Sequence, residues 1–367
     1  MSENVILRLM YRLRDLARFG AILPVLLLSL EAAAQAPKYS NEFLAIGVGG
    51  RGLAMSGAQI ASVNDVTAGY WNPVGLLGIQ DKFQVGAMHS EYFAGIAKYD
   101  YGAFAKPIDS TSAIGISILR FGVDDIPNTT QLIDANGNID YDRITSFTAA
   151  DYGFLLSYAK RTGIKGLSIG GNLKVIHRVV GSFAKSWGFG LDVAANYHHK
   201  GWMFSAVARD VTSTFNAWSF TLDDATVAVF EATDNEIPQD GLELTLPRLI
   251  LGVAREFTFN EKFSLLGEIN LVNTFDGRRN VVISADPISI EPVVGLEASY
   301  QKMVFLRAGV GNIQRHLNEL NSEEWGFQPN MGVGVKIKSI SIDYALTNIG
   351  NTSQALYSHV FSLRLDI

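Results

Sequence analysis

From residue 82 to residue 367, apolar and polar side chains take alternate places along the chain. Residues 262–274 put Phe263, Leu265, Ile269 and Leu271 on one side and Ser264, Glu268 and Asn270 on the other. Residues 186–198 repeat the arrangement: Trp187, Phe189, Leu191, Val193, Ala195 and Tyr197 oppose Ser186, Asp192, Asn196 and His198. Ile340, Ile342, Tyr344 and Leu346 oppose Ser341 and Asp343, and the last stretch sets Tyr357, Phe361, Leu363, Leu365 and Ile367 against Ser358, Ser362, Arg364 and Asp366. Successive Cβ atoms of a strand point to opposite faces, so a period of two predicts strands with one oily and one wet side.

The pattern predicts about fourteen strands, near 82–93, 96–106, 112–121, 148–160, 166–179, 185–198, 201–210, 247–258, 262–274, 289–300, 303–311, 325–337, 339–347 and 355–366. Most reach ten residues or more, whereas strands of soluble proteins average about five or six and a tilted membrane strand needs about 9–11. Their connections alternate in length. One rim has long gaps (122–147, 180–184, 211–246, 275–288, 312–324 and 348–354), with only the hairpin near Ala94-Gly95 short. The other rim has tight ones: 107–111, 161–165, 199–200, 259–261, 301–302 and 338. Bacterial outer-membrane barrels have this habit, with the short turns and both termini periplasmic. The expected fold class is therefore all-β, a transmembrane antiparallel β-barrel of about fourteen strands, closed because lipid tolerates no unpaired sheet edge. Trp202 and Tyr300, beside tight turns, suit an interfacial aromatic girdle.

The stretch from 43 to 79 does not alternate. It is rich in Gly and Ala, and Leu53, Met55, Ile60 and Val63 suit one face of a short helix. A second helical piece is expected from Val66, ending before Asn72 because a residue ahead of proline is pushed out of the helical region. About eight strands already give a barrel filled by side chains, so a fourteen-stranded one needs something in its lumen. This small-residue segment is the expected plug.

Its residues GVGGRGLAMSGAQIASVNDVTAGYWNPVGL resemble the N-terminal signature of the PorV/PorQ family of outer-membrane proteins, which is related to FadL-type channels. The positions that carry the likeness are Gly49, Gly50, Arg51, Met55, Gly57, Asp65, Trp71, Asn72 and Pro73, with Val74 where the related hatch motif has Ala. FGVDDIPNT and GNIDYDRITSFTAADYGFLLSYA, within 121–159, extend it. The resemblance implies a FadL-like barrel with an N-terminal helical hatch, in an outer-membrane component of the type IX secretion system. It implies partners too: outer-membrane lipid, the translocon and attachment proteins, and the C-terminal domains of secreted cargo. Loops 122–147 and 211–246 would meet them, through Asp124, Asp125, Tyr141, Phe215, Trp218, Phe220 and Phe230. The alternative is a FadL-like channel for hydrophobic small molecules; the polar lumen faces favour the secretion role.

Composition agrees with an envelope protein. Of 367 residues 48% are hydrophobic and 18% charged, below the roughly 25% charged of soluble domains. A net charge of −6 argues against nucleic acid, and the lack of Cys excludes disulfides and thiolate chemistry. Residues 1–34 read as a signal peptide: Arg8, Arg12, Arg14 and Arg18 precede an apolar run over 19–30, and cleavage is expected after Ala34. The expected domains are then 1–34, the hatch at 35–80 and the barrel at 81–367.

Catalytic motifs are missing, which predicts a protein that is no enzyme and holds no cofactor. Gly47-Val-Gly49-Gly-Arg-Gly52 matches G-x-G-x-x-G, but no strand of a βαβ unit precedes it. His198-His199 reads as a wet turn. Asp134, Asn136, Asn138 and Asp140 place oxygen ligands at alternate positions like the start of a calcium loop, without its Gly at the sixth place or its distal Glu. Asn-Gly turn chemistry accounts for the same residues. Among the acids of 211–246, Phe215, Trp218, Phe220, Val227, Val229 and Phe230 either fold back over the barrel mouth or meet a partner. Lumen-facing Lys174, Asp192, Glu268, Asn270, Glu297 and Asp343 either line a pathway or hold the plug, through Arg51.

Overall fold

Alternation drives seventeen strands into one antiparallel sheet among the described residues, and fourteen of them close a wall. The computed structural model describes residues 40–133, 138–317, 322–347 and 357–367. The described residues belong to one unit, Tyr39–Ile367. The expected signal peptide, Asp134 and Asn136 lie outside the described residues.

The first strands are β1 (Gln84–Tyr92), β2 (Ala97–Pro107), β3 (Ser112–Asn128), β4 (Thr145–Arg161), β5 (Leu167–Val180), β6 (Ala184–His199) and β7 (Trp202–Arg209). A hairpin of β8 (Phe215–Phe220) and β9 (Gly241–Leu244) follows, then β10 (Arg248–Thr258) and β11 (Phe263–Thr274). The chain ends with the two-residue β12 (Ile283–Ser284), β13 (Ser289–Tyr300), β14 (Val304–Leu317), β15 (Glu323–Ile337), β16 (Ile340–Thr347) and β17 (Ser358–Asp366). Each wall strand pairs with the next; β7 pairs with β10, β11 with β13, and β17 returns to β1 with Gln84 opposite Asp366. β8, β9 and β12 stand outside the ring.

Most wall strands carry an oily row outward. Ile116, Phe154, Leu156, Phe189, Leu191, Val193, Leu296, Val333 and Ile342 are exposed, while Ser117, Ser157, Asn172, Asp192, Asn196, Glu268 and Asn270 are buried. A two-layer sandwich would bury the first set. A barrel in lipid exposes it, and closure leaves no edge with unpaired amides in hydrocarbon. No described helix is long and apolar enough to cross a membrane.

Four wall strands run two or more residues past their expected ends, all at the long-loop rim. β3 continues to Asn128 and β14 to Leu317, while β4 begins at Thr145 and β15 at Glu323. Register shifts between Val123 and Ile126 and between Gly311 and Gln314 explain this. Asp125 and Asn312 take positive φ there, and an extra residue breaks the period of two that marks a strand. Asp124 and Asp125 thus belong to β3 and not to a loop.

Candidate functional site

The residues after Ser40 enter the ring of strands as a string of short turns. α1 (Gly50–Ala54) is a single helical turn, shorter than the face drawn through Leu53, Met55, Ile60 and Val63 requires. Ser56 and Gly57 take positive φ and stop it, although all four apolar side chains are buried. α2 (Ala68–Trp71) ends where expected, because Asn72 is extended ahead of Pro73. A 3-10 turn, Pro73–Gly78, follows, with Asn72 Oδ1 accepting from the Val74 N–H at 3.0 Å.

Trp71 is the hub of this hatch. Its Nε1 donates to the Val48 carbonyl at 2.9 Å. Its ring lies against Gly47, Gly52 and Gly57, where a Cβ would meet the indole. Gly47 also has φ of 99°, so only glycine serves both needs there.

Polar contacts tie the hatch to the wall all round. Arg51 Nε donates to Glu297 Oε2 on β13 at 2.8 Å, and its other nitrogens reach Gln59 and Ser62. Glu268 on β11 accepts from the Ala61 and Ser62 amides at 2.8 and 3.1 Å. Asn270 donates to the Gly57 carbonyl, and Gly50 N–H donates to Ser362 Oγ on β17. Asn72, fully buried, brings Nδ2 within hydrogen-bond distance of Ile60 O, Asn196 Oδ1 and Ser205 Oγ, which reaches β6 and β7. Met55 packs against Gly295 and Gly309 of β13 and β14.

Asp65 accepts from Arg364 Nη1 at 2.7 Å and from Thr67 N and Oγ1 at 2.9 and 2.6 Å. Burial alone would raise its carboxyl; Arg364, Thr67 and Arg51 outweigh burial and hold it below the usual carboxylate range. Glu297 and Asp343 share Arg307, at 2.6 Å each. Of the lumen residues named from sequence, Glu268, Asn270 and Glu297 therefore hold the hatch. Lys174 instead pairs with Asp192 and Asp210 beside it on the wall.

Between the hatch and the long-loop rim lies a cavity of about 550 Å³. Leu53, Ile60, Trp71, Ile250, Val272 and Val293 give it an apolar floor. Arg209, Arg248, Arg279 and Glu291 stand above. Arg209 stacks on Tyr70 with its guanidinium carbon 4.8 Å from the ring centroid. Arg248 lies close enough to Glu291 for the two charges to interact. Sequence reasoning named neither arginine, because at strand ends the alternation that flags a lumen face fades.

At the rim, Trp218 Nε1 donates to Glu243 Oε2 at 2.7 Å, and Arg178 lies over the indole. Phe215, Trp218 and Phe220 lie in β8, paired to β6, and not in a free loop. Phe230 is half-buried in α3 (Asp224–Ala232), whose Asp223 cap accepts from Thr226 N at 2.7 Å. Tyr141 is 72% exposed. Asp140 accepts from Asp142 N and Arg143 Nε, so its carboxylate caps a turn; no metal-binding group of acids and histidines occurs among the described residues.

No protein-family model matches the chain, and no curated protein does. Solved structures share its fold. The Ralstonia pickettii toluene transporter TbuX is 13% identical, with a TM-score of 0.50, and the match covers 88% of this chain and 98% of that one. The monoaromatic hydrocarbon channel CymD and the P. putida toluene transporter TodX are each 13% identical, with TM-scores of 0.52 and coverage of 88% of this chain and 98% and 99% of theirs. The chain thus has the FadL-like fourteen-stranded architecture of outer-membrane barrels.

Proposed function

We propose that this protein is an outer-membrane channel for small, largely apolar molecules bearing a polar or anionic group, with the long-loop rim facing outward. The cavity above the hatch carries the reading: its volume of about 550 Å³ falls in the range of small-molecule sites, roughly 300–1,000 Å³. An apolar floor beneath Arg248 and Arg209 suits an amphiphile. Similarly folded barrels that transport toluene and other monoaromatics support a small-molecule role over a secretory one. Proteoliposomes loaded with the purified barrel test it. Influx of small aromatic solutes above that of empty vesicles is expected, falling when Ile60→Trp fills the cavity; influx equal to empty vesicles refutes it.

The type IX cargo-carrier reading rests on the residues that resemble the PorV/PorQ signature and on an exposed rim, where Tyr141 and Leu242 are 72% and 68% accessible. Its test is co-purification from native envelope. Recovery of translocon or cargo C-terminal domains supports it, and their absence removes it.

A further inference from the structure

One row of paired residues crosses the outside of the wall from rim to rim. It starts at Phe257 near the short-turn end of β10 and passes Leu265, Ala298, Leu306, Val333 and Tyr344 to Phe361. It continues through His89, Asp100, Arg120, Tyr152 and His177 to Trp187 near the long-loop end of β6. Strands tilted about 35–45° and spaced about 4.8 Å make such a row climb roughly 3 Å per strand. Phe361 is six pairings from either aromatic end and marks mid-height. His89 and Asp100 stand about 3 and 6 Å above it, inside an apolar band about 25 Å tall.

Elsewhere this face is oily; here it is charged. His89 Nδ1 donates to Asp100 Oδ1 at 2.7 Å, with their side chains 52% and 44% exposed. Glu91 is 57% exposed, and its carboxylate lies 3.8 Å from His89 Nε2, beyond hydrogen-bond reach. Lys98 and Arg120 reach Asp124 at 3.4 and 3.0 Å. Beneath them Gly102 faces open space, paired with Ala87. Charge on a lipid-facing wall is destabilising in proportion to its depth, so a surface of this kind calls for a protein neighbour.

We infer that the outer face of β1–β3 is the interface between two copies of this chain. The patch is its own complement. Rotation by 180° about the membrane normal, through β2, sets β1 of one copy against β3 of the other. Glu91, one outward position above His89, and Arg120, three pairings above Phe361, both stand about 8–9 Å above mid-height. Each copy's Glu91 then meets the other's Arg120, His89 and Asp100 lie beside the axis, and Gly102 and Ala87 let the walls approach. An isologous contact of this form closes at two copies.

The chain has no cysteine, so a single one reports contact. Gly102→Cys in native outer membranes is expected to give a disulfide-linked dimer under mild oxidation, whereas Leu251→Cys on β10 across the barrel stays monomeric. Glu91→Arg or Arg120→Glu in the Gly102→Cys background lowers the dimer yield about tenfold, a loss of the size expected for one desolvated charge contact. The double swap restores it. Heat-modifiable gel mobility shows that each variant has folded. A monomeric Gly102→Cys, a swap that fails to rescue, or a cross-link to a different protein identified by mass each overturns the inference.

Discussion

Glu268 offers the sharpest test of how the hatch is seated. It is 1% exposed and accepts two hatch amides, Ala61 N at 2.8 Å and Ser62 N at 3.1 Å. Glu268→Ala leaves two buried N–H groups without an acceptor, at about 1–3 kcal/mol each. Removing a carboxylate from a dry site returns part of that cost, leaving a net loss of about 2–4 kcal/mol. Glu268→Gln keeps one acceptor and turns a donor toward the other amide, so it should lose roughly half as much. Amide hydrogen exchange in lipid nanodiscs reads this directly. Protection over residues 58–64 should fall roughly 30- to 1,000-fold in Glu268→Ala, at 1.4 kcal/mol per tenfold. The β-strand amides should keep theirs. Unchanged exchange over 58–64, or equal loss throughout the wall, would refute the idea that this carboxylate seats the hatch.

Asp65 gives a pH prediction. Its folded pKa is depressed, so its contribution to seating is fully present above the unfolded carboxyl value, near 3.9, and fades as pH falls through the lower folded one. Trp71 fluorescence in detergent should hold steady from pH 7 to about 4 and shift only below it; Asp65→Asn should show the shifted signal throughout. Gly309→Ala should unseat the hatch, because a Cβ there overlaps the Met55 carbonyl, whereas Gly102→Ala, facing open space, should leave exchange unaltered. Hatch protection retained in Gly309→Ala would count against that packing. Arg248→Glu should leave the barrel folded and reduce influx of anionic aromatic solutes several-fold relative to neutral ones; equal loss for both would deny the arginine a part in selection.

The wall was legible because lipid and lumen impose opposite demands on adjacent residues, and a period of two records them. Trp187 and Asp192 on β6 needed no structure to be assigned outside and inside. Legibility ended where the demand ends. Above the lipid band β3 and β14 are wet on both faces, and Asp125 and Asn312 break the period with bulges, so their last turns of strand read as loop. The β8–β9 hairpin was hidden for a related reason: Trp218 is held by Glu243 on the partner strand β9 and by Arg178 on β5, 25 and 40 residues away in sequence. The helix at 224–232 did leave a signal, Asp223 three residues before Thr226, which an N-cap search would have found. Arg51 reaching Glu297 was readable as a charge looking for a partner. Which lumen carboxylate would take the two amides of Ala61 and Ser62 was not readable, because backbone donors have no signature in a sequence.

The hatch is held differently on its two sides, and the difference follows from which residues face it. Toward β11–β17 it meets Glu268, Glu297, Asp343 and Arg364, and it answers with Arg51, Asp65 and bare amides. Toward β2–β6 its contacts carry no charge: Tyr101, Leu119, Leu155 and Ala159 pack on Ala68, Tyr70, Val74 and Leu76, and neutral Asn196 and Ser157 hydrogen-bond to Asn72 and the Gly69 carbonyl. Apolar contact weakens little with pH or salt, whereas charged contacts respond to both wherever solvent reaches them. Acid and ionic strength should therefore loosen residues 50–65 before residues 68–78. Exchange measured segment by segment at rising salt distinguishes this from a hatch that leaves as one piece. If 68–78 loses protection at the same salt as 50–65, the mounting is uniform and the division drawn here between ionic and apolar sides is wrong.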